Sequence, residues 1–126
     1  MHIFTTVALL AIGIVHLLPL SGVLGVTQLQ SLYGLSIDDP NLEILMRHRA
    51  VLFGLLGIFL IFASFKPPLQ MIALIGGFAS TATFCLLAWK VGQYNAAIGK
   101  VVYIDVGLSV LALIAIFVQA LRMMRT

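Results

Sequence analysis

The chain has 126 residues, of which 62% are hydrophobic and only 9% charged, against about 25% charged in an ordinary soluble domain. Such a chain cannot cover a water-soluble domain with polar surface, and four spans of about 20 residues across a ~30 Å hydrocarbon core leave only short loops, so a single integral membrane domain over residues 1–126 is expected. The net charge of +3 comes from seven Lys and Arg scattered along an apolar chain, which forms no basic face for nucleic acid.

The first apolar stretch covers residues 3–22. It has no Lys or Arg ahead of it and no clean small-residue cleavage pattern, so it reads as a retained span instead of a cleaved leader. Pro19 lacks a backbone donor and crowds the carbonyl four residues back, which predicts a kink beside His16. Residues 22–41 are more polar. Val26, Leu29 and Leu32 recur there at helical spacing before Gly34, predicting a short interfacial helix, and Asp39 or Asn41 can cap the second span. That span is predicted over 42–65 and ends at Lys66-Pro67-Pro68, a stop and restart. The third covers 69–89, a polar turn with Gln93, Tyr94 and Asn95 comes next, and the fourth covers 100–121. The fold expected is all-α: a four-transmembrane-helix bundle with a short interfacial helix between spans one and two.

Small residues mark where these helices meet, because lipid-embedded helices associate by close backbone approach. Ala50, Gly54 and Gly57 supply such a seam on span two, and Gly76 or Gly77 with Ser80, Thr81 and Thr83 on span three. Ser80 and Thr83 also admit a reading as a polar pathway. An even number of spans puts both termini on one side with Lys66, Arg122 and Arg125. When Arg47 and Arg49 are counted as helix residues, the loop charges favour that side as cytoplasmic, in a bacterial inner membrane.

The ionisable residues inside spans are unevenly placed. His16 falls near the end of span one, Arg47, His48 and Arg49 near the start of span two, and Asp105 near the start of span four. Because successive spans reverse direction, all of them lie in one leaflet. That distribution suits a pocket opening on one face and opposes a transmembrane ion path, which needs polar groups at successive depths. Glu43 and Arg47, four residues apart, can pair along one helix, which leaves Arg49 as the expected partner of Asp105. The candidate ligand-binding set is therefore His16, Arg47, Arg49, Tyr94 and Asp105, and the same residues can equally form a structural clamp, with Trp89, Tyr33 and Tyr94 as interfacial anchors. His16 and His48 allow paired haem ligation only as a weak alternative. Neither a metal site nor a catalytic constellation is legible: Cys85 is alone, and Ser21, Ser80 and Ser109 lack a nucleophile elbow.

The segments GVLG at 22–25, LYG at 32–34, DDPNL at 38–42 and LMRHRAVLFGLLG at 45–57, with Trp89, Tyr94-Asn95 and Asp105, resemble the DoxX-like superfamily of small bacterial membrane proteins. The resemblance implies a four-helix membrane bundle and, through better-known relatives linked to quinone redox systems, raises a quinone or a lipid as ligand; no ligand residue carries over from it. The name phosphopantetheine adenylyltransferase, borne by some similar chains, does not fit. That soluble enzyme has a paired-histidine motif, whereas His2, His16 and His48 are followed here by Ile3-Phe4, Leu17-Leu18 and Arg49-Ala50.

The leading expectation is a small membrane protein binding a lipid-like or quinone-like molecule in a one-leaflet pocket, without catalysis. The rival is an accessory subunit docking onto a larger membrane complex or onto copies of itself.

Overall fold

In the computed structural model, which describes residues 3–125, α1 (Ile3–Leu17) passes into a 3-10 segment (Leu18–Leu24) and is followed by α2 (Val26–Tyr33), α3 (Pro40–Ser64), α4 (Pro67–Val91) and α5 (Ala96–Met124). Four of these stretches are long and apolar enough to cross a membrane: residues 3–24 and the whole of α3, α4 and α5. His2 lies outside the described residues.

The kink expected at Pro19 takes another form. The α-helix stops at Leu17 and the chain rewinds as a 3-10 helix with Pro19 in its first turn. A proline at that position has no intrahelical donor to lose, and the tighter i→i+3 winding relieves its clash with the turn before it. The interfacial helix forms as predicted. Gly34, at φ 64°, closes it by donating its N–H to the Gln30 carbonyl, in the left-handed conformation that favours glycine.

The other three spans start before the apolar runs, two of them at a side-chain cap. Asp39 accepts from the Asn41 N–H at 2.9 Å, with Pro40 in the first turn, so α3 starts at Pro40 and ends at Ser64. Pro67 starts α4, with proline in the first turn but no side-chain cap. Asn95 accepts from the Ile98 N–H at 2.8 Å, so α5 starts at Ala96 and not at Lys100.

The four long stretches form a ring in the order α1, α3, α4, α5; α1 also touches α4, whereas the α3 and α5 backbones, the other diagonal, stay more than 8 Å apart. The core interleaves alanines with large aliphatic side chains. Ala8, Leu9 and Ile12 of α1 meet Leu60 and Ala63 of α3, Ala73 and Leu74 of α4, and Leu108, Ala112 and Ala115 of α5. Large side chains such as Ile58, Phe62, Leu87 and Phe117 face outward, the arrangement expected where the surrounding solvent is hydrocarbon. Gly57 lies in the α1–α3 seam, where a Cβ would stand 2.8 Å from the Gly13 carbonyl oxygen. On α4 the seam residue is Gly77, against Ile12 and Leu60; Gly76 has open space around it.

Candidate functional site

The 3-10 segment touches α1, α2 and α3 but leaves α5, and a cleft of about 170 Å³ opens at this end of the bundle. Its walls include Val15, His16, Leu18 and Pro19 of the first span, Leu32 and Tyr33 of α2, Arg49 and Phe53 of α3, and Val101, Ile104 and Asp105 of α5. Arg49 and Asp105 each follow the first residue of their helix by nine positions, ~14 Å along the axis at about 1.5 Å per residue. The caps at Asp39 and Asn95 therefore set both groups at one level.

His16 is buried and fixed by two hydrogen bonds of 2.8 Å, one from Nδ1 and one at Nε2. The Nδ1 partner is the Ile12 carbonyl, which can only accept, so Nδ1 carries a proton. In the neutral ring Nε2 then accepts from the Ser80 hydroxyl on α4. One face of the imidazole meets the Phe53 ring at a centroid separation of 5.4 Å. His48 is exposed on α3, so the two histidines considered for haem are not brought together.

The expected contact between Arg49 and Asp105 does not form. Among the described residues, the one ion pair within 4.0 Å joins Arg47 to Glu43, at 3.0 Å. Arg49 instead donates to the Tyr33 hydroxyl at 2.6 Å. Its guanidinium lies 4.4 Å from the Phe53 ring centroid, 5.3 Å from that of Tyr33 and 5.8 Å from that of Phe84. Phe53 is one turn beyond Arg49 on the same helix face, and a guanidinium is weakly hydrated and stacks well on aromatic faces. These partners hold Arg49 on the α2 and α3 side of the cleft, while Asp105 stands on the α5 wall beyond ion-pair distance.

Arg47 and Tyr94 lie outside the cleft lining. Arg47 bridges Glu43 and the Val23 carbonyl, anchoring the 3-10 segment to α3. Tyr94 packs beside Gly99 at the start of α5. Thr83 bonds only within its own helix, to the carbonyls of Ala79 and Ser80, so Ser80 and Thr83 do not line up as a pathway.

Tyr33, Phe53 and Phe84 were not singled out as partners of a charge. The signal available was local, Phe53 standing four residues after Arg49. Tyr33 belongs to a helix whose docking no sequence pattern discloses. The opposite end of the bundle holds a largely buried polar network that was also not foreseen: Gln70 and Thr6 both donate to the Ser64 carbonyl, and Thr5 and the half-buried Arg122 both donate to Gln119. Apart from Arg122 near the end of α5, charged groups inside the spans stay confined to the cleft end.

Comparison with family models, with curated proteins and with solved structures finds no match to this chain.

Proposed function

We propose that this small membrane protein binds one lipid-like or quinone-like molecule in the cleft between the first span, α2, α3 and α5, with Arg49 as the principal polar contact. The observation that carries this reading is an Arg49 guanidinium held on aromatic faces at the edge of a cavity, with its carboxylate counterpart across the gap instead of in contact. A clamp would have closed that distance, because an ion pair in low dielectric gains most from direct hydrogen bonding. Arginine has five N–H donors, and among the described residues only the bond to Tyr33 engages them. A carbonyl or anionic oxygen in the cleft would accept from the others.

The cavity volume sets the size of the occupant. A cavity of ~150 Å³ holds one benzene ring, so about 170 Å³ admits one ring or a head group and not an entire lipid. His16 and Phe53 would form an apolar floor with one fixed imidazole edge. Consistent with the sequence resemblance, we place the chain among DoxX-like proteins of a bacterial inner membrane, with its termini in the cytoplasm and the cleft toward the other face.

Mass spectrometry of molecules extracted from the protein purified in mild detergent tests the reading. The wild type is expected to retain an amphipathic molecule that Arg49→Gln loses while keeping its helical content. An identical set of molecules in both proteins overturns the reading. Co-migration with a larger complex and no bound small molecule would favour the accessory-subunit role.

A further inference from the structure

The route into the cleft is written in the exposure of its walls. Of the eleven residues that line it, the exposed ones are Leu18, at 61%, and Ile104, at 46%; the other nine are buried or half-buried. Both rim residues are apolar. They stand on the 3-10 segment and on α5, two elements whose backbones do not approach within 8 Å. Ile104 is eight residues into α5, ~12 Å along the helix, so the gap opens on the flank of the bundle.

The end of the cleft toward the loops is closed. Leu29, Tyr33 and Ile37 form a second apolar cluster that packs on Met46 of α3 and Ile98 of α5. Asn95 fastens this cover: its Nδ2 donates to the Tyr33 carbonyl at 2.8 Å and to that of Gly34 at 3.3 Å, while its Oδ1 caps α5. The Tyr33 hydroxyl, bonded to Arg49, seals the same end from within.

We infer that the cleft opens sideways into the bilayer between the 3-10 segment and α5, and that its occupant is a membrane-dissolved molecule whose ring-sized polar end enters while an apolar chain stays in the lipid. A water-soluble ligand would have to displace α2, and an exposed polar side chain, which would mark an aqueous mouth, is absent from the lining. This rests on the cleft being a binding site, but the doorway itself is measurable with no ligand present.

The test uses the full chain in phosphatidylcholine vesicles. Trp89, the sole tryptophan, is replaced by Phe, and a reporter is placed in the cleft as Phe53→Trp or, on the facing wall, as Val101→Trp. With dibromo-phosphatidylcholine as the host lipid, either reporter is expected to lose most of its emission, and aqueous iodide is expected to leave it unchanged. Adding Asn95→Ala, which unfastens α2, is expected to make the reporter iodide-sensitive. Quenching by iodide with Asn95 intact, or no quenching by brominated lipid, overturns the lateral doorway. Loss of the bound molecule in Arg49→Gln is read separately, so failure of the doorway and failure of the binding role are told apart.

Discussion

Arg49 illustrates how a permanent charge is accommodated at depth without a contact ion pair. Its Phe53, Tyr33 and Phe84 neighbours offer π faces, and the Tyr33 hydroxyl accepts one hydrogen bond. Tyr33→Phe removes the hydroxyl and keeps the ring, and is expected to cost about 1.5–3 kcal/mol, the range for a hydrogen bond to a charged group, less where the membrane-embedded unfolded state finds other partners. Tyr33→Ala also removes a ring face and packing, and should cost more; equilibrium unfolding in mixed micelles ranks the two. Leu in place of His16 breaks the bond to Ser80, with an expected loss of about 0.6–1.7 kcal/mol by the same measurement. The gathering of His16, Arg49 and Asp105 was legible in the sequence, because alternating span direction and a fixed rise per residue set the level of each. Their pairing was not legible. It depends on Tyr33, which reaches the site from outside the four spans.

At the scale of elements, the α1–α3 seam and the Asn95 fastening carry the sharpest expectations. Gly57→Ala would place a methyl group 2.8 Å from the Gly13 carbonyl oxygen, a backbone atom that cannot step aside, so α1 and α3 must separate and stability must fall. Gly76→Ala meets nothing within 4 Å and should be neutral or stabilising by up to about 1 kcal/mol, the helix-propensity gain. Thermal unfolding of the two variants side by side checks the contrast. Asn95→Ala removes the α5 cap together with both bonds to α2; the cap alone is worth about 0.5–2 kcal/mol. Asn95→Asp keeps an acceptor for the Ile98 N–H but loses the donors, and should fall between. The small-residue pattern disclosed the α3 seam directly, whereas Gly76 and Gly77 are adjacent and a rotation of the helix decides between them. Asn95 read as a turn residue, since its reach to the Tyr33 carbonyl, 62 residues earlier in the chain, leaves no local trace.

For the whole molecule, alanines and a few large aliphatic residues fill the interior while many large apolar side chains cover the outside, as the 62% hydrophobic composition leaves too many apolar side chains for the interior of a small bundle. The start of α1 and the end of α5 lie at one end of the ring. If that end faces the cytoplasm, reporter fusions at either terminus should be active only as cytoplasmic reporters, and a fusion in the 92–95 turn only as an exported one; the opposite pattern would reverse the orientation. Span number and order were legible because four apolar runs are separated by proline, glycine and polar residues. The end of the bundle that holds the cleft was legible too, but its gap beside α5 was not, since it lies where the 3-10 segment stays clear of α5.

That change in winding also sets a length. The first span has 22 residues, against 25 in α3 and in α4, and as an unbroken α-helix it would reach only about 33 Å at 1.5 Å per residue. Seven of its residues are 3-10, with a rise of about 2.0 Å each, which brings the span to about 37 Å, level with the roughly 38 Å of α3 and α4. The shortest span of the bundle thus matches α3 and α4 in length by stretching its last third, and the slimmer coil that does the stretching leaves room beside it.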